Sequence, residues 1–240
     1  MALPATFLNH LRTEGYHPRS DKHSKALSEA IVLDLMANCP KIRERANTDQ
    51  LVFAHNFDLT FGHATWNTDL AIGPPSPGLD LSKAVRVGGM AIGTPISAQI
   101  AIEAKTVMTE HRKAIKNRKR DFEAHHQHVH NYDASAIAGG LVLINGSPTF
   151  RSPLRPAITV HKLPDALVAH CLGEIANISF ASGTSAVGLD ALSAVAVSMD
   201  NVDWAKTDWM TGKASPRPGQ PLYWDAFVAR LCALYTSRFG

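Results

Sequence analysis

The chain has 240 residues, 45% hydrophobic and 19% charged, with a net charge of +3. That balance supports a packed core, suits one domain with insertions and excludes wholesale disorder. No apolar run reaches the roughly 18 to 20 residues that cross a bilayer, and residues 1–10 lack the charged start and apolar stretch of a secretory signal, so a soluble cytoplasmic protein is expected.

Taken in chain order, residues 22–37 predict a first helix, with Ser20 or Asp21 as its cap and Pro40 just past its end. Three strands are expected at residues 51–56, 68–72 and 98–104, the last two separated by a Gly/Pro-rich excursion at 73–95. Thr106 or Thr109 is expected to cap a helix that runs to about His130. The apolar run at 136–144 (AIAGGLVLI) reads as a central strand covered on both faces. Beyond it, helices are expected at 165–178 and 222–237 and a strand at 191–199. The strand–helix–strand unit at 98–145 predicts a right-handed parallel crossover. The fold class is therefore α/β: a mixed central sheet flanked by helices, with a core in residues 1–150 and an extension of the same domain in 151–240. Cys39, Cys171 and Cys232 are widely spaced and form no C-x-x-C pair, which favours buried reduced thiols over a disulfide framework or a zinc site.

Chemistry concentrates at Asp69, which opens the apolar stretch DLAIG, and at Glu103-Ala104-Lys105, which closes the third strand. Residues two apart on a strand share a face, so Glu103 and Lys105 project together. A carboxylate and an ammonium ending a strand built for burial need partners, and a metal ion, a phosphate and each other are the natural ones. Two carboxylates suit Mg²⁺. The ion and the lysine together match phosphodiester hydrolysis.

With 33 residues between Asp69 and Glu103, the arrangement D-x33-E-A-K followed by a helix and an apolar strand resembles the PD-(D/E)-x-K nuclease superfamily, type II restriction endonucleases among them. Thr68 stands where the family usually has proline, and Asp58 and Asp80 are rivals for the first acid. The resemblance implies a restriction-endonuclease-like core of order αβββαβ, an endonuclease acting on double-stranded DNA, and 5′-phosphate and 3′-hydroxyl products. It also implies a metal held by Asp69, Glu103 and the Ala104 carbonyl, with Glu29 on the first helix, or its rival Glu44, as an added ligand. A twofold homodimer would cut both strands of a symmetric site.

The helix after Lys105 carries RKAIKNRKR. Its Arg112, Lys113, Lys116, Arg118, Lys119 and Arg120 are expected to contact DNA phosphates, with Lys113, Lys116 and Arg120 on one stripe. Next come His125, His126, His128 and His130. His126 and His130 have the spacing of a metal pair, which leaves a histidine-metal (ββα-type) nuclease or a zinc enzyme open, but the cluster reads better as a polar helix end. Trp66, Asn67, Arg151 and Arg155 are further candidates to touch nucleic acid. The Gly/Ser-rich stretch 179–188 lacks a phosphate-loop pattern, and no G-x-S-x-G motif is present. A repair or junction-resolving nuclease on the same core and a non-catalytic DNA-binding protein are the competing functions.

Overall fold

The computed structural model describes residues 3–178, 180 and 188–240. Three helices open the chain: α1 (Ala5–Glu14), α2 (Lys22–Asn38) and α3 (Pro40–Asn47). β1 (Val52–Phe61) and β2 (Ala64–Gly73) form a hairpin, and the excursion after it carries the short strands β3 (Arg86–Val87) and β4 (Met90–Ile92). Next come β5 (Ile100–Val107), α4 (His111–Tyr132) and β6 (Ile137–Asn145), then a small hairpin of β7 (Thr149–Arg151) and β8 (Ile158–Val160). The chain ends with α5 (Pro164–Ala176), β9 (Ala191–Ser198), a 3-10 turn (Trp204–Lys206), β10 (Asp208–Trp209) and α6 (Trp224–Phe239).

The main sheet has the order β10-β9-β6-β5-β2-β1-β4-β3. It is mixed: β5, β6 and β9 run parallel, while β2 is antiparallel to both β1 and β5. The expected order of helix, three strands, helix and strand is met by α2, β1, β2, β5, α4 and β6, and α4 links adjacent parallel strands.

The period-2 pattern sends alternate side chains to opposite faces, one of them richer in alanine. Ile72, Ile100, Ile102, Leu141, Val195 and Val197 face α1, α2, α3 and α6 and pack on Leu11, Ile31, Leu35 and Phe227. Ala71, Ala101, Ala138, Ala194 and Ala196 face α4 and α5 and meet Ile115, Phe122, Val168 and Ile175. Burying each large aliphatic side chain contributes about 1.5–3 kcal/mol. The alanine face lets α4 lie close. A Cβ added at Gly140 would come 3.0 Å from Phe122 Cδ1 and 2.9 Å from Leu189 Cδ1.

The structure corrects several expectations. Pro40 lies just past the end of α2, as expected, but it also opens a further helix, occupying the first turn of α3, where its missing N–H costs nothing. Thr106 belongs to β5, and the residue before α4 is Glu110 at φ 50°, so neither threonine caps that helix. Asp69 sits in mid-strand rather than at the head of β2. Of the stretch 179–188, all but Phe180 and Gly188 lie outside the described residues.

Cys39 and Cys232 are not free thiols. They form a disulfide with Cα atoms 5.3 Å apart, tying the α2–α3 junction to α6, while Cys171 is free and buried. Closing so long a loop restricts the unfolded chain. Replacing Cys232 by serine is expected to cost about 2–4 kcal/mol of stability. Thermal melts with and without dithiothreitol check this, and coincident melts of the wild type would remove the bond from the account.

Candidate active site

The site lies where β2 and β5 part. Their ladder runs from Ile72↔Ile100 to Leu70↔Ile102 and stops, whereas β5 stays paired with β6 as far as Val107↔Ile144. Beyond the fork, side chains take over from backbone partners. Thr68 Oγ1 donates to the Ile102 carbonyl at 2.8 Å, and Asp69 Oδ2 accepts the Ala104 N–H at 2.8 Å. α2 covers the fork, with Ser28 Oγ 3.5 Å from the Asp69 carbonyl. Burial raises the Asp69 pKa, against the pull of the Ala104 N–H, Lys105 and Ser24.

Glu103 is buried and stands opposite Gly140 in the parallel register. Its Oε1 accepts from Lys105 Nζ, and the ammonium side chain is 23% exposed against 5% for the carboxylate. Its Oε2 is buried without a hydrogen-bond partner, 3.9 Å from the equally unpartnered Nδ1 of His125. His125 Nε2 faces the Ala101 carbonyl at 3.3 Å, so that nitrogen carries the proton and Nδ1 turns a lone pair toward Glu103. Burial drives the His125 pKa down to about 3, so the ring is neutral. Glu103 is pushed up to about 7, first by burial and then by the Asp69 charge, with Lys105 opposing both.

Asp69, Ala104 and Lys105 line a cleft of about 240 Å³ together with His23, Ser24, Thr106 and Arg118. Glu103 lies behind this wall. His23 Nε2 accepts the His17 N–H at 2.9 Å, and its Nδ1 bonds to His10 Nε2 at 3.0 Å. Burial lowers the His23 pKa to about 4.

The other candidates separate. Glu29 faces His55 at 3.7 Å and Glu44 faces Lys41 at 3.5 Å. Asp58 accepts from Asn67 at 2.8 Å on an exposed part of the β1–β2 hairpin, and Asp80 bonds Ser82 within the excursion. Arg112, Lys113, Lys116 and Arg120 are exposed on α4. Lys119 is half-buried, and Arg118, also half-buried, pairs with Asp121 at 2.8 Å. Lys113 and Arg118 line hollows beside the site.

The histidine run is not a solvated helix end, because His125, His126 and His130 are buried in the face of α4 that meets the sheet. His128 stacks on Trp66 with ring centroids 4.7 Å apart, and His130 Nε2 bonds Asp190 at 3.0 Å. Among the described residues no group of three or more His, Cys, Asp or Glu side chains is placed to hold a metal ion, so the histidine-metal set is not assembled and the fork supplies two carboxylates. Thr68 and His23 are site residues to which sequence reasoning gave no role, and His125, expected in a polar helix end, stands instead beside Glu103. For Thr68 a signal existed, its place immediately before Asp69.

His23 and His125 have folded pKa values below the unfolded value, so their contribution is intact above about pH 6.5 and is lost as pH falls toward 4 and 3. Replacing His23 by asparagine should therefore cost more stability at about pH 7.5 than at about pH 4.5. Denaturant titrations at the two values test this, and an equal cost at both would contradict it.

No protein-family model, no curated protein and no solved structure matches this chain.

Proposed function

We propose that this protein is a Mg²⁺-dependent endonuclease that hydrolyses phosphodiester bonds of DNA, on a core of the restriction-endonuclease type. The observation that carries this reading is the unsatisfied acid at the fork. Glu103 Oε2 is buried, unpartnered and turned toward a ring nitrogen that has no proton to give. Asp69 is near enough for its charge to raise the Glu103 pKa. A hard divalent cation relieves such a pair. Asp69 and Glu103 would hold it, with the Ala104 carbonyl as the further oxygen that the family resemblance implies. Glu29 is already engaged with His55 and is not needed in the set.

When bound, Mg²⁺ supplies Lewis-acid polarisation of the phosphate and a more acidic water. The chain's own groups do the rest. Lys105 presents its ammonium to the cleft, where it offsets charge developing on the phosphoryl oxygens. The Ala104 N–H fixes one Asp69 oxygen, so that carboxylate is oriented before any substrate arrives. Arg118 and Lys113 hold the DNA backbone in place without reading its sequence. Cutting both strands of a duplex asks for two such sites related by a twofold axis.

Plasmid DNA incubated with Mg²⁺ is expected to be cut, and EDTA is expected to stop the reaction. Lys105→Ala and Glu103→Gln should each slow cleavage by at least about 100-fold. Mg²⁺ should also raise the melting temperature of the wild type and leave that of Glu103→Gln unchanged, because a ligand stabilises only the state that binds it. Undiminished cutting by either variant, or a wild type that neither cuts nor is stabilised by Mg²⁺, defeats the proposal.

A further inference from the structure

We propose that a single strand of DNA lies in a basic groove that leaves the Lys105 cleft and ends at a stacking platform on Trp204, so that the substrate carries an unpaired segment. Hydrolysis at Lys105 rests on the function proposed above, whereas binding along the groove does not.

Three hollows follow one another. Tyr16, Pro18, Thr106 and Arg118 wall both the Lys105 cleft and a second hollow of about 280 Å³. The second shares Tyr16, Ser152, Leu154 and Arg155 with a third of about 770 Å³. The α4 face that borders the second hollow presents Lys113, Ala114, Asn117 and Arg118, which recur at helical spacing.

Tyr16 stands where the first two hollows meet, its hydroxyl 2.6 Å from Thr106 Oγ1. Asn201 grips the Tyr16 backbone from the other side, accepting its N–H at 2.8 Å and donating to its carbonyl at 3.0 Å. Hollows of 240 and 280 Å³ fall below the roughly 300 Å³ at which drug-sized pockets begin. Each therefore suits about one nucleotide of an extended strand.

The charge is right for phosphates. Beyond the cleft that Asp69 lines, the acids along the path are engaged, Glu14 with Lys22 at 2.8 Å and Glu110 with Arg155 at 3.1 Å, while Arg118 pairs with Asp121. Lys113 and Arg151 add exposed cations.

Trp204 supplies the aromatic surface. Its indole is 42% exposed and is backed by Gly15. A Cβ there would come 2.4 Å from Trp204 Cε2, so glycine is what lets the ring lie close to the chain. Leu154 and Val202, both exposed, line the same hollow. An exposed ring beside cations, at the end of a run of linked hollows, matches the way unpaired strands are held.

The test measures binding in EDTA, where no cleavage is expected, by fluorescence anisotropy of a labelled single-stranded oligonucleotide and of the blunt duplex of the same sequence. The single strand should bind at least about tenfold more tightly, and Trp204→Ala and Arg151→Ala should each weaken it by roughly tenfold while leaving duplex binding unchanged. If Trp204→Ala melts early, Trp204→Phe replaces it; that variant should keep the affinity and lose the indole quenching that accompanies wild-type binding. Equal affinity for strand and duplex, or undiminished strand binding by Arg151→Ala, overturns the groove. Plasmid cleavage with no strand preference refutes the groove alone, and strand preference without cleavage refutes the nuclease alone.

Discussion

The end of the β2–β5 ladder at Leu70↔Ile102 is the constraint on which the rest of the site depends. Backbone groups beyond that point are still inside the protein, and leaving one unpaired costs about 1–3 kcal/mol. Thr68 and Asp69 meet the need with side-chain oxygens, one as donor and one as acceptor. The substitution has a second effect: it fixes a carboxylate at the mouth of a fork whose far side carries Lys105. The strands separate just enough to admit the cleft, and the groups that keep the separation from being costly also line it or stand at its edge.

Glu103 and Lys105 divide the work of a buried ion pair unequally. The carboxylate is almost wholly enclosed while the ammonium reaches the cleft. Such a pair is weak support for the fold, because desolvating the ions offsets much of their attraction. It makes better sense as a poised group. One carboxylate oxygen is committed to Lys105, and the other faces a neutral imidazole held in place by the Ala101 carbonyl. An i, i+2 spacing on a strand put acid and lysine on one face from sequence alone, but the imbalance in their burial depends on α4, which a local pattern does not contain.

The elements that sequence made legible were those with a sustained period: α2, α4, α5, α6 and the sheet strands around them. The helices α1 and α3 escaped notice for physical reasons. In α1 the buried positions reduce to Phe7, Leu8 and Leu11, too few to establish a stripe. In α3 the proline that marks a first turn was read as a stop signal. The Cys39–Cys232 link spans 193 positions, and no spacing rule reaches across that distance. The histidines of α4 misled because composition says polar, whereas His125, His126 and His130 fall on the same side as Phe122 and Val129, which is buried. At the site, Asp69, Glu103 and Lys105 were visible as residue types. Their depth was not, since Glu103 lies behind the cleft wall rather than on it.

The division of the sheet into a bulky face and an alanine face bears on how this chain can change. On the bulky side, flexible Leu, Ile and Met chains can shuffle rotamers to absorb an added methylene. On the other side a Cβ at Gly140 would already press on Phe122 of α4 and on Leu189 and Leu192, so an enlarged residue there pushes on the helix. That helix carries Lys113 and Arg118 on its outer side, so a core substitution there moves surface charge as well. Tolerance to mutation is accordingly lopsided: one layer of the molecule is free to drift, and the other is geared to the position of its cations.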